Sequence, residues 1–368
     1  MSPIKPQTEG GKKVVVAMSG GVDSSVAAAL LVQAGYDVTG IMMRLWSEPG
    51  PNTGVHNRCC TPDQMADARR VAQLLQIPFY VVDAQAYFRR EVVQFFIDEH
   101  QRAVTPNPCV ECNRKVRFSY LLERARLLGA DFLATGHYAR VQPSADGYQL
   151  LKAVDGNKDQ SYVLHVLNQQ KLARVLLPLG PYAKREVRCL AKEFGLPVAS
   201  KQESMDLCFL RDGNYRRFLA EHSTGASASG PILSQTGETL GQHDGLPSYT
   251  IGQRKGLGIA VGEPMYVIDK DPDLNALIVG PRTALGRSGL LVGRVNWIAG
   301  GPPSKRLDAE VKIRYRSRPV EATVTALDER MAQIRFRTPV FGATAGQAAV
   351  FYQGDRCLGG GIISEVLT

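Results

Sequence analysis

The sequence predicts an α/β protein: a doubly wound parallel-sheet domain, then a small β-rich central domain, then a C-terminal antiparallel β-barrel. Three observations predict it. Short apolar strands alternate with helical stretches up to about Cys208, the pattern of a parallel sheet covered on both faces. The first strand runs into Ser19-Gly20-Gly21-Val22-Asp23-Ser24 and then an apolar helix, which places a phosphate-binding turn at the carboxyl end of the sheet. From Gly289 onward polar and apolar residues alternate between turns rich in Gly, Pro and Asp, as they do in antiparallel barrels.

In chain order, residues 1–13 are a polar lead-in without a secretory apolar core. Strands are expected at 14–18, 38–43, 79–83 and 132–135, and helices at 24–33, 63–75, 87–102 and 118–128. Residues 45–62 are rich in Gly, Pro and Asn and read as a long mobile loop near the site. After Asp212 the texture changes. Residues 223–231 are small and polar, and from 231 to 281 glycines recur among short apolar pairs. Barrel strands are expected at 311–315, 321–326, 332–336, 348–353 and 360–366. The implied domains are 1–212, 213–282 and 283–368.

Composition narrows the class. At 368 residues two or three domains are expected, and 21% charged with 44% hydrophobic residues is a globular balance. No apolar run approaches the roughly 20 residues that cross a bilayer, so no membrane partner and a cytoplasmic location are expected. Seven cysteines in a reducing compartment point to thiol chemistry or metal binding rather than a disulfide framework. The net charge of +9 suggests a polyanionic partner. From Thr283 onward 12 Lys/Arg stand against 7 Asp/Glu, a surplus of +5. Lys312, Arg314, Arg316 and Arg318 alternate with other residues there. On a strand they would share one face, either merely solvated or, given the phosphate loop upstream, touching nucleic acid.

The turn at Ser19–Ser24 carries the first chemistry. Its glycines let backbone N–H groups converge on an anion at a helix N-terminus. Its serines can donate to phosphate, and Asp23 can hold magnesium. No Gly-Lys-Ser/Thr follows, so this is not a Walker loop. The second stretch is Thr105-Pro106-Asn107-Pro108-Cys109-Val110-Glu111-Cys112. Its prolines are expected to hold a rigid loop off helix. The C-x-x-C reads as a redox pair, half a zinc site, or a nucleophile with a neighbour, and Arg114 and Lys115 favour thiolate. A third stretch, Lys201 to Phe209, ends an exposed polar loop at Cys208. Cys189 and Cys357 read as buried small hydrophobes, and no role is read for Cys59 and Cys60. Gly136-His137-Tyr138 ends a strand where a base or phosphate would lie, His137 being a donor or simply a satisfied histidine. Lys158-Asp159-Gln160-Ser161 is expected to be exposed. The segment from Tyr249 to Gly258 is cationic and glycine-rich, as suits phosphate contact.

The turn resembles the pyrophosphate (PP) loop of ATP pyrophosphatases. Together SGGVDS, TPNPCVECNRKVRF, ATGHYAR, KDQSYVL, the Cys208 loop, YTIGQRKGLG and GQAAVFY, in order from Val14 to Tyr352, resemble the tRNA-specific 2-thiouridylase family. The resemblance implies ATP-dependent adenylation of C2 of the wobble uridine of Lys-, Glu- and Gln-type tRNAs. Sulfur transfer follows, with AMP and pyrophosphate released. It implies ATP at Ala17, Met18, Ser19, Gly20, Gly21, Val22, Asp23, Ser24, Met43 and Gly136, with Mg2+. Cys208 matches the persulfide carrier, loaded by an upstream sulfur-donor protein. Cys112 matches the nucleophile, with a transient Cys112–Cys208 disulfide. Asn107, Pro108 and Cys109 match the target-base contact. His137, Lys158, Asp159, Gln160, Arg314, Tyr315 and Gln347 match tRNA contacts. Some members carry Asp where this chain has Cys109, so an acid/base role does not transfer. The extra thiol opens an alternative, an iron–sulfur cluster on Cys109, Cys112 and Cys208. Two other classes compete. An amide-forming synthetase would need an ammonia source, and no glutaminase-like segment adjoins the loop. A catalytically dead RNA-binding module would tolerate loss of both thiols.

Overall fold

The structure, a computed structural model, describes residues 11–48, 61–202, 207–222 and 228–367. The expected lead-in up to residue 10, most of the 45–62 loop with Cys59 and Cys60, residues 203–206 and residues 223–227 lie outside the described residues.

A five-stranded parallel sheet contains β1 (Lys13–Ala17), β2 (Asp37–Arg44), β3 (Phe79–Asp83), β4 (Phe132–Ala134) and β7 (Val175–Leu176), in the order β3-β2-β1-β4-β7. Val14, Val15 and Val16 of β1 pair with Val38, Thr39 and Gly40 on one side and with Phe132, Leu133 and Ala134 on the other. All three valines are buried, because a strand covered on both faces has no solvent side to give to polar residues. The chain leaves β1 toward β2 and returns on its other side to β4. The topological switch point, where open sheets of this type bind ligands, therefore lies beyond Ala17. Helices α1 (Val22–Gln33) and α2 (Pro62–Leu74) follow β1 and precede β3. Thr61 caps α2 by accepting from Gln64 N at 3.1 Å, and Gln64 reciprocates, a capping box that fixes where α2 starts.

Next comes α3, the helical run Gln85–Phe88, Arg89–Gln94 and Phe95–Gln101. Another run, α4, begins at Pro108–Glu111 and continues through Cys112–Leu121 and Leu122–Leu127. The C-x-x-C segment is thus helical, correcting the rigid loop expected from its prolines. Pro106 precedes the helix, and Pro108 occupies its first turn, where proline's missing N–H costs nothing.

A four-stranded sheet of order β10-β11-β8-β9 forms the central unit: β8 (Gly230–Ser234), β9 (Thr239–His243), β10 (Tyr266–Asp271) and β11 (Ala276–Gly280). The last unit is a closed barrel of six strands, β12 (Gly286–Trp297), β13 (Arg306–Lys312), β14 (Val320–Ala326), β15 (Ala332–Phe341), β16 (Ala348–Gln353) and β17 (Arg356–Leu367), closed by pairing of β12 with β17. β13 stops at Lys312 and residues 313–319 form a turn. The expected single-face cationic strand does not exist.

The hairpin β5 (Arg140–Ser144) and β6 (Gly147–Leu151), which follows β4, adds itself to barrel strand β17 through Leu150 and Leu151. One apolar cluster consequently runs from Val15, Ile41 and Leu133 to Ala348, Val350 and Tyr352. The nucleotide-binding sheet and the barrel are held in one register by shared core. Among the described residues no helix is long and apolar enough to cross a membrane.

Burial makes three histidines bases too weak to charge near neutrality. His100 and His137 are pushed down to about 3 and His165 to about 4, mainly by loss of solvent. Above the ordinary value of 6.5 each is neutral whether folded or unfolded and contributes nothing to pH dependence. Below it the unfolded chain gains protons that the fold refuses, so stability falls as pH drops toward 4. At pH 5 the loss is about 2 kcal/mol per histidine. Urea unfolding at pH 7 and pH 5 checks this; unchanged midpoints would show that these rings titrate normally.

Candidate functional site

The turn after β1 has the geometry of an anion nest. Gly20 adopts φ +69°, and a Cβ there would overlap the carbonyl oxygen of Gln64 at the start of α2. Only glycine satisfies both demands. Gly21 caps α1 in extended conformation with no side chain occupying the cap, so the first N–H groups of α1 face the turn. Ser24 Oγ accepts from Ser19 N at 3.1 Å and lies 3.2 Å from Ser19 Oγ, which pulls the turn closed. Met18 and Val22 send their side chains into the core, and Met18 N donates to Ile41 O at 2.8 Å, continuing the pairing of β1 with β2. Gly136, at the tip of β4, packs on this helix start. A Cβ there would come within 2.8 Å of Ser24 N and 2.9 Å of the Asp23 carbonyl carbon.

Asp23 is half-buried and engaged. Tyr138 donates its hydroxyl to Asp23 Oδ1 at 2.8 Å, and Lys184 Nζ approaches the same oxygen at 2.6 Å. Lys184 opens helix α5 (Lys184–Glu193). One turn on, Arg188 donates to the carbonyls of Ala199 (3.3 Å) and Lys201 (3.1 Å). Lys201 Nζ in turn donates to Gly20 O at 3.0 Å and Asp67 Oδ2 at 2.7 Å. Lys184 and Lys201 thus reach the turn, and Arg188 holds the backbone that carries Lys201. Sequence reading missed all three. The signal available was faint: Lys184 and Arg188 spaced four apart on one helix face.

Both sulfur candidates pack in a single apolar cluster. Cys112 is buried with Phe88, Val92, Phe96 and Phe209, and Cys208 packs against the same cluster with Met43 and Trp46. Residues from α4 and from the chain near residue 208 therefore share one apolar cluster although 96 positions separate them. The chain after Cys208 is pinned by Glu48, which accepts from Arg211 N at 3.1 Å and from both Arg217 nitrogens at 2.6 and 2.8 Å. Burial raises the Glu48 pKa, but these donors outweigh it and hold the carboxyl below its usual range. Arg217 lies on α6 (Tyr215–His222). Glu48, Glu221 and His222 are the group of acids, thiols and imidazoles that, among the described residues, lie close enough to hold a metal. Arg217 already bridges both carboxylates. Cys109 is exposed while Cys112 is buried, and no group containing them with Cys208 is of metal-binding compactness among the described residues.

Several expected contacts turn inward. His137 is buried, and its Nδ1 lies 2.7 Å from Thr135 Oγ1. In the stretch Lys158–Ser161, expected to be exposed, Asp159 and Ser161 are buried while Lys158 and Gln160 are half-buried. Asp159 accepts from Ala153 N, Ser161 N and Ser161 Oγ, and Gln160 accepts from Tyr138 N at 2.9 Å. Gln347 donates to the carbonyls of Thr105 (2.9 Å) and Pro106 (3.3 Å), so a barrel side chain holds the entry to α4. Asn107 caps that helix by accepting from Val110 N at 3.3 Å. Arg314 donates to the carbonyls of Gly342 and Ile251, joining barrel to central unit. Lys312 lies over the rings of Tyr162 and Tyr315. Arg316, Arg318, Arg254, Lys255 and Tyr315 remain at the surface. Cys357 is buried as expected, but Cys189 is exposed, because it sits on the solvent face of α5 while Val187 and Ala191 face inward.

A parallel sheet with a glycine–serine turn at its switch point, closed onto cations and joined to an apolar cluster that holds two thiols, defines an ATP pyrophosphatase-type nucleotide-binding enzyme. Residues 12–212 match the family described as tRNA methyl transferase HUP domain. Residues 216–281 match its PRC-barrel domain and 287–363 the aminomethyltransferase beta-barrel domain. The tRNA-specific 2-thiouridylase MnmA of Chloroflexus aurantiacus is 49% identical over 353 residues, covering 96% of this chain and 98% of the relative. Its namesake from Geobacter metallireducens is 49% identical over 361 residues, covering 97% and 98%. The chain belongs to the tRNA-specific 2-thiouridylase family.

Proposed function

We propose that this protein uses ATP to adenylate the C2 oxygen of the wobble uridine of tRNA and replaces it with sulfur, releasing AMP and pyrophosphate. The observation that supports the reading is an anion nest at Ser19–Ser24 together with one apolar cluster that holds Cys112 and Cys208 and is joined to the sheet through Met43 of β2. ATP binds the backbone of Ala17–Ser24, with Gly136 and Met43 beside it. Asp23, whose Oδ1 already meets Lys184 and Tyr138, would hold Mg2+ through its carboxylate, and the ion would supply neutralisation of phosphate charge. The domains are 1–212 for catalysis and 213–282 and 283–368 for tRNA.

Asn107, Pro108 and Cys109 meet the target base at the start of α4. Cys208 carries a persulfide loaded by an upstream donor protein. The electron pair of the Cys112 thiolate attacks the inner sulfur of that persulfide, forming a Cys112–Cys208 disulfide. The terminal sulfur leaves with the S–S bonding pair and attacks C2, and AMP departs with the C–O pair. An external reductant then reopens the disulfide. Two thiols in one apolar cluster suit such exchange.

Lys158 and Tyr315 touch tRNA from the surface. His137, Asp159, Gln160, Arg314 and Gln347 act on it by holding the loops that present them. The test is nucleoside mass spectrometry after incubation with ATP, magnesium, sulfide and unmodified tRNA. 2-Thiouridine that appears only with ATP supports the proposal, and equal yield with all triphosphates withheld refutes it.

A further inference from the structure

Cys109 and Cys112 stand one turn apart at the start of α4, yet Cys109 is exposed and Cys112 is buried. Pro108–Glu111 make the first turn and Cys112 continues it at φ −59° and ψ −45°, so the backbone between the two thiols is helical throughout. Helical rise and twist put Cα atoms three residues apart at about 5 Å, and a disulfide spans Cα separations of about 4.4–6.8 Å. The first turn of a helix also tightens readily into 3₁₀ geometry, in which side chains three apart eclipse. The pair can therefore close without unwinding α4.

The disulfide proposed to form in turnover lies deeper. A Cys112–Cys208 bond would sit in the apolar cluster with Phe88, Val92, Phe96 and Phe209, where Cys112 is buried and Cys208 half-buried. Thiol–disulfide exchange needs access to a sulfur, and a protein-sized reductant has poor access to a bond lined by rings. Cys109 is within one helical turn of that bond and faces solvent.

We propose that Cys109 is a resolving thiol that carries the turnover disulfide from the apolar cluster to the surface. The Cys109 thiolate attacks Cys112 Sγ. A Cys109–Cys112 bond forms and the Cys112–Cys208 bond breaks. Cys208 leaves with the bonding pair and takes up the proton that Cys109 gave up, so the step involves no net oxidation or reduction. An external dithiol protein then supplies two electrons and two protons at the exposed Cys109 sulfur, itself becoming a disulfide, while Cys208 is already open to reloading. The inference rests on the proposed Cys112–Cys208 exchange, and Cys109 acts after the base that it meets has left.

Two readouts test it. The protein is loaded with inorganic polysulfide, freed of excess, taken through one turnover with ATP, magnesium and tRNA without reductant, and quenched with iodoacetamide. Peptide mass spectrometry is expected to find a Cys109–Cys112 disulfide and alkylated Cys208. A Cys112–Cys208 disulfide that persists beside alkylated Cys109 overturns the inference and leaves the proposed function standing. Absence of any disulfide on Cys112 removes the proposed exchange, and the inference with it. In the second readout a dithiol protein is the sole reductant, and the steady-state rate is divided by the first-turnover rate. This ratio is expected to fall at least about tenfold in Cys109→Ser and to recover with a small phosphine that reaches the buried bond. Loss of the base contact alone, or partial misfolding, lowers both rates and leaves their ratio unchanged, so a ratio equal to that of the wild type overturns the inference. So does a ratio that the phosphine fails to restore.

Discussion

Replacing Cys112 by Ala, or Cys208 by Ser, is expected to lower 2-thiouridine formation by three orders of magnitude or more, while ATP and tRNA affinities stay within about twofold. The reasoning is chemical rather than steric. Each thiol would contribute one sulfur to an exchange that has no substitute once that sulfur is gone, so neither loss is compensated by the other. Alanine is preferred to serine at Cys112 because the position is buried among Phe88, Val92, Phe96 and Phe209. An unpartnered hydroxyl there would cost about 1–3 kcal/mol of stability and blur the result. Cys189, exposed on α5, serves as the control: Cys189→Ser is expected to behave as wild type. Quantifying thiouridine in tRNA from cells carrying each variant decides the matter. Normal levels in either reactive-cysteine variant would favour an RNA-binding module without catalysis.

The second large effect is expected from Gly20→Ala. Two penalties add at this position. An L residue at φ +69° costs about 1 kcal/mol, and the new methyl overlaps the carbonyl of Gln64. Gln64 belongs to the capping box that opens α2, so it yields only by unseating a helix. Overpacking of that kind costs about 1–3 kcal/mol. Together they cost about 2–4 kcal/mol of stability, and because the misfit falls on the anion nest itself, nucleotide affinity should fall as well. Gly35→Ala separates the two terms, because Gly35 has φ +80° but nothing within 4 Å of its would-be Cβ. It should lose about 1 kcal/mol of stability and no affinity for ATP. Isothermal titration with ATP and magnesium measures both; equal affinities for the two variants would show that the turn does not bind phosphate.

Legibility in the sequence followed the range of the interactions involved. The valines of β1 were readable because burial on both faces leaves an unmixed apolar run, and the half-buried edge strand at 79–83 was readable from its aromatic and β-branched residues. The Gly20 turn was readable because few sequences other than Gly-Gly between strand and helix can make one. The C-x-x-C segment was misread because proline forbids helix after its first turn yet favours helix start, and one sequence offers no way to choose without knowing where Asn107 caps. The stripe from Lys312 to Arg318 was misread for a related reason. Alternation is compatible with a strand, but β13 ends at Lys312, where it has run out of its partners β14 and β16.

What the chain determined by itself was local: periodicity, turn chemistry and the presence of reactive thiols are properties of neighbouring residues. The tertiary structure alone decided which distant groups meet. It set Lys184 on Asp23, Lys201 on Gly20, Gln347 on the entry to α4, and the 140–151 hairpin on the barrel. It also turned Asp159, Ser161 and Arg314 inward. Such pairings depend on how separate elements pack, and packing is a sum over residues far apart in sequence that no local pattern encodes.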